Sequence, residues 1–95
     1  MSKTVVTYRY YNIYDYDEQD VVWESPSASS DYECDRNLLK AIEKARSILR
    51  SNPSARIDIG CKVYDTCDGY EYGDECYYTL CDAKGIDALE KKVRK

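Results

Sequence analysis

Between Thr4 and Tyr16 nearly every residue is β-branched or aromatic, and alternation sorts them into two faces: Val6, Tyr8 and Tyr10 on one, Val5, Thr7, Arg9, Tyr11 and Ile13 on the other. A period of two is that of an extended strand. The polar run Asp17-Glu18-Gln19-Asp20 interrupts it and Val21-Val22-Trp23-Glu24 resumes it, which predicts a hairpin with a loop of about four to five residues. Ser25 to Ser30 is a connector of turn-forming residues.

The period then changes. Leu38, Ala41, Ile42, Ala45, Ile48 and Leu49 recur every three or four positions, with Arg36, Lys40, Lys44 and Arg50 between them, so this stretch reads as an amphipathic helix. Ser30 and Glu33 have the spacing of a capping box at its start, and Asn52-Pro53 stops it. Alternation returns where Ile57, Ile59, Cys61 and Val63 interleave with Asp58, Gly60, Lys62 and Tyr64. A loop from Asp65 to Asp74, with Asp68-Gly69 and Gly73, leads into a return strand from Glu75 to Cys81 that places Cys76, Tyr78 and Leu80 on one side. Ile86, Leu89 and Val93 mark a short final helix whose last turn is cationic, as the helix dipole prefers.

The expected fold is therefore α+β with the order ββαββα: a four-stranded, mainly antiparallel sheet carrying two helices on one face. At 95 residues the chain forms a single domain, 1–95, in which 1–52 and 53–95 would each be one hairpin plus one helix. Asn12-Ile13-Tyr14-Asp15 and Lys62-Val63-Tyr64-Asp65 occupy matching places in the two halves.

Composition alters what the uncovered sheet face is expected to do. The chain has 11 tyrosines, one tryptophan (Trp23) and no phenylalanine. A core alone would use phenylalanine, because a buried phenol must also find a hydrogen-bond partner. Much of this aromatic surface is thus expected to meet solvent. The net charge of −4 is unevenly spread. Carboxylates accompany the tyrosines in residues 1–25 and 56–82, whereas lysine and arginine concentrate in the helical segments.

Candidate chemistry is sparse. Cys34, Cys61, Cys67, Cys76 and Cys81 lack the paired spacing of a zinc site, and there is no histidine. They read as small buried hydrophobes, with a Cys61–Cys76 bridge geometrically open if both point inward from paired strands. Asp68, Gly69 and Glu75 fit three positions of a calcium loop, but Tyr64 and Thr66 stand where oxygen-rich ligands belong. Neither a nucleophile with a base nor a phosphate-binding loop is recognisable, so no enzyme and no cofactor are expected. No apolar run of about 18 residues occurs and Met1-Ser2-Lys3-Thr4 has no signal-peptide character, which favours a cytoplasmic protein without a membrane anchor.

The expected role is a small acidic protein-binding domain. Tyr8, Tyr10, Tyr14, Asp15, Tyr16, Asp17, Glu18, Asp20, Asp68, Tyr70, Glu71, Tyr72, Asp74, Glu75 and Tyr77 would form the contact surface, carboxylates pairing with a basic partner protein and phenols supplying area. In style this is similar to phage or mobile-element inhibitors of host defence nucleases, which occlude a basic surface or mimic DNA. A nucleic-acid-binding module using the basic helix faces is the alternative, and a metal- or redox-responsive cysteine domain a weaker one. Phosphate would be repelled by the acids around the tyrosines, so nucleic acid is disfavoured. An unpaired sheet edge allows a monomer or a dimer.

Overall fold

Ser30 is the hinge between the two local periods. Its backbone is extended, and its hydroxyl accepts the Glu33 amide at 3.2 Å, which satisfies one of the donors that a helix start leaves orphaned. From there α1 (Asp31–Ser51) runs to Asn52, whose amide closes on the Ile48 carbonyl at 2.8 Å. In a computed structural model the chain is described for residues 6–65, 76–80 and 83–94, with side chains for 6–64 and 84–94. The remaining elements are β1 (Thr7–Asp15), β2 (Asp20–Glu24), β3 (Ile57–Asp65), β4 (Cys76–Leu80) and α2 (Ala83–Arg94).

The strands lie in the order β2-β1-β3-β4 with every neighbouring pair antiparallel. The expectation of a four-stranded ββαββα sheet made from two like hairpin units is corrected here. The described side chains build a three-stranded antiparallel sheet, β2-β1-β3, with two helices, which keeps the α+β class. Its spine is a ribbon of nine paired positions between β1 and β3, strands that belong to different hairpins, whereas β2 contributes four pairs. β4 is placed at the β3 margin by a backbone register of five pairs, from Ile57↔Leu80 to Cys61↔Cys76.

The first hairpin is also irregular. Asn12↔Glu24 and Ile13↔Trp23 are followed by Tyr14↔Val21, so Val22 is an extra residue and β2 carries a bulge. β1 begins at Thr7, with Val6 outside it, and Tyr16 lies in the turn instead of the strand; Thr4 and Val5 lie outside the described residues. Beyond β2, the connector continues along the same β1 edge. Ala28 and Arg9 exchange backbone hydrogen bonds of 2.9 and 2.8 Å, and Ser25 bonds both ways with the Tyr11 backbone. The connector thereby covers donors and acceptors that would otherwise form an open edge.

Both helices contribute to one core against the face that carries Tyr11, Ile13, Ile57, Ile59 and Cys61. Ala41 and Ala45, one helical turn apart and fully buried, let α1 approach the β-branched isoleucines closely. Ile42 fills the space beside them, and Ile86 and Leu89 bring α2 into the same cluster. Each fully buried isoleucine contributes about 1.5–3 kcal/mol of burial free energy. Arg46 of α1 ties the helices together outside the core, reaching Asp87 and Glu90 at 2.7 Å each, and Glu90 also accepts from Arg94 at 2.9 Å. No helix among the described residues is long and apolar enough to cross a membrane.

Candidate functional site: the tyrosine face of the sheet

The helices leave one sheet face uncovered, and strand periodicity decides what stands on it. β1 offers Tyr8, Tyr10, Asn12 and Tyr14, and in register beside them β3 offers Tyr64, Lys62, Gly60 and Asp58. Tyr77 and Thr79 of β4 fall opposite Gly60 and Asp58, and Glu24 of β2 falls opposite Asn12.

The rings interlock. Tyr8 and Tyr64 stack with centroids 5.6 Å apart, and Tyr10 meets Tyr64 edge-on at 6.2 Å. Tyr64 is aimed across β1, because its hydroxyl donates to Ser27 Oγ in the connector on the far side at 2.9 Å. At the other end Tyr14 and Tyr16 form an edge-to-face pair at 5.0 Å. Offset and edge contacts of this kind stabilise an aromatic cluster without sealing it from water. Tyr8, Tyr10, Tyr14 and Tyr64 are half-buried, and Tyr16 is 50% exposed.

Tyr11 shows the opposite fate. It points to the helix side and is buried beside Cys34 and Cys61. Burial pushes its phenol up to about 12, the Cys61 thiol adds to the shift, and a hydrogen bond with the nearby Arg9 guanidinium works against it. Cys34 and Cys61 are buried thiols, and Cys34 Sγ donates to the Ala28 carbonyl at 3.5 Å. Burial likewise raises the Cys34 thiol.

The acids gather beyond Tyr14. Asp15 Oδ1 accepts the amides of Asp17 at 2.8 Å and Glu18 at 3.3 Å, so this carboxylate builds the turn. Asp20 Oδ1 accepts the Val21 amide at 2.8 Å, and Gln19 completes the reversal with φ 56. Asp17, Glu18, Asp20 and Glu24 are exposed. Residues 10–35 contain eight carboxylates and no lysine or arginine, which makes this hairpin and the connector after it a continuous source of negative field.

Of the residues expected to form the contact surface, Tyr8, Tyr10, Tyr14, Asp15, Tyr16, Asp17, Glu18 and Asp20 come together on this face and its acidic end. Asp68, Tyr70, Glu71, Tyr72, Asp74 and Glu75 lie outside the described residues, and Tyr77 is placed by its backbone alone. Members of the face outside that set include Asn12 of β1 and Asp58, Lys62 and Tyr64 of β3, and the last three alternate with the apolar residues of β3, a signal the sequence contains.

On the connector side a shallow depression of about 300 Å³ is lined by Pro26, Ser27, Tyr32, Arg36, Asn37 and Lys40, together with Glu33. The Arg36 guanidinium stands 5.8 Å from the Tyr32 ring centre. Comparison with family models, curated proteins and solved structures finds no match for this chain.

Proposed function

We propose that the chain is a non-enzymatic protein-binding domain that covers a basic surface of its partner with the tyrosine face and the acidic first hairpin. The observation that carries this reading is the asymmetry of the sheet. One face is sealed by α1 and α2, and the other presents an interlocked tyrosine row ending in exposed Asp17, Glu18 and Asp20. Tyrosines supply rigid contact area at low entropic cost, and carboxylates at the rim steer a cationic partner into register. Occlusion of a cationic groove, such as the nucleic-acid-binding surface of a host defence nuclease, is the inhibitory form this surface suits.

Direct nucleic-acid binding by the helices would fall to the exposed Arg36, Lys40, Lys44 and Arg50 of α1, since Arg46 and Arg94 are engaged by Asp87 and Glu90, and the acidic hairpin would repel the phosphates they attract. The test replaces Asp17, Glu18 and Asp20 together by serine and leaves the turn-building Asp15 in place. Retention of the partner that the wild-type chain captures from host lysate should fall at least about tenfold, with circular dichroism and melting unchanged. Equal retention by the folded triple variant overturns the proposal.

A further inference from the structure

A carboxylate with one oxygen unpaired among the described residues lies under the acidic end of the tyrosine face. Asp58 stands on β3 in register between Tyr14 and Thr79, and is 5% exposed. Its Oδ2 accepts the Tyr16 hydroxyl. Its Oδ1 is equally buried, and no described residue donates to it. An acceptor withdrawn from water without a donor costs free energy, more so when it carries charge.

The surroundings indicate what would complete it. The Tyr14 and Tyr16 rings meet beside Asp58 at an interplanar angle of 67°. Tyr16 sits one residue past the end of β1, with its amide bonded to the Arg56 carbonyl at 2.9 Å. The main chain is therefore anchored beside a ring that is half-exposed.

We infer that Asp58, Tyr14 and Tyr16 form a socket for an arginine side chain of the protein partner, with Tyr16 as its cover. The inference rests on the proposed docking to a basic surface and specifies its central contact. A guanidinium is planar, presents paired donors to a carboxylate and stacks on aromatic rings, whereas a lysine ammonium does none of these as well. When the Tyr16 ring lifts, both Asp58 oxygens face the incoming fork. Exposed Asp17, Glu18 and Asp20 on the adjoining turn concentrate cations at its mouth.

Two peptides of equal length, one arginine-based and one lysine-based with the same uncharged spacers, are titrated calorimetrically against wild type, Asp58→Asn and Tyr16→Phe. Wild type should bind the arginine peptide about tenfold more tightly than the lysine peptide, the size of one charge-assisted bidentate pair. Asp58→Asn should erase that preference. Tyr16→Phe keeps the ring but releases Oδ2, so it should strengthen arginine binding by about two- to fivefold, an increase that a purely structural tie would not produce. Equal affinity of wild type for both peptides, or a preference that survives in folded Asp58→Asn, overturns the socket and leaves the basic-surface reading standing. Failure of wild type to bind either peptide at low salt overturns both. Should Asp58→Asn not fold, Tyr16→Phe decides: stronger arginine binding supports the socket, and unchanged or weaker binding overturns it.

Discussion

Tyr64 of β3 donates its phenolic proton to Ser27 Oγ, 37 residues earlier in the chain and on the far side of β1. Its ring spans the central strand, held by stacking on Tyr8 and edge contact with Tyr10. Tyr64→Phe keeps the ring and loses the tie, which should cost about 0.5–1 kcal/mol in urea unfolding. Tyr64→Ala also removes the stack and should cost about 1 kcal/mol more. Partner binding should weaken with Tyr64→Ala and stay unchanged with Tyr32→Ala, since Tyr32 stands on α1, 71% exposed, and is not one of the rings that interlock on the sheet.

The acids of the first hairpin divide into builders and binders. Asp15 accepts two turn amides, so Asp15→Ala should destabilise the fold by about 0.5–2 kcal/mol, the range for losing a side-chain cap. Asp17→Ala and Glu18→Ala should change stability by less than about 0.5 kcal/mol, as expected of exposed surface positions. Thermal unfolding of the three variants separates the classes, and equal losses would refute the division.

The helix start and the core make different contributions. Ser30→Ala removes the acceptor of the Glu33 amide and should cost about 1 kcal/mol. Ile42→Ala opens a cavity between α1 and the sheet and should cost about 2–5 kcal/mol, a large share of the stability of so small a domain. Denaturant midpoints of the two variants test the ranking.

Tyr11 sets an alkaline limit. Its phenol ionises near pH 10 in an unfolded chain and is held to about 12 in the fold, chiefly by burial. Over that interval the unfolded state binds fewer protons than the folded one, so stability is intact below pH 10 and falls as pH rises toward 12. Phenolate absorbance should show the Tyr11 phenol titrating late, together with unfolding. Tyr11→Phe should remove that late phenolate and flatten the alkaline decline relative to the variant's own neutral-pH stability.

Much of the fold is legible in the sequence. The three- and four-residue recurrence from Leu38 to Leu49 and the Ser30–Glu33 spacing place α1, because helix periodicity and capping are local properties. Alternation in Ile57–Tyr64 likewise separates a buried row from an outward one. Within the site, the tyrosine face and its acidic end were readable as a composition. The partners of individual rings were not.

The amino-acid sequence by itself determined which stretches coil and which extend, and which side of each turns from water, since those follow from side-chain sterics and hydrophobic spacing within a few residues. Only the tertiary structure decided that β1 lies against β3 over nine positions, that the Tyr64 hydroxyl reaches Ser27 across β1, and that Asp58 is buried beneath Tyr16. Strand pairing and burial depend on which distant segments meet, and a period of two assigns a residue to a face without naming the neighbour across it.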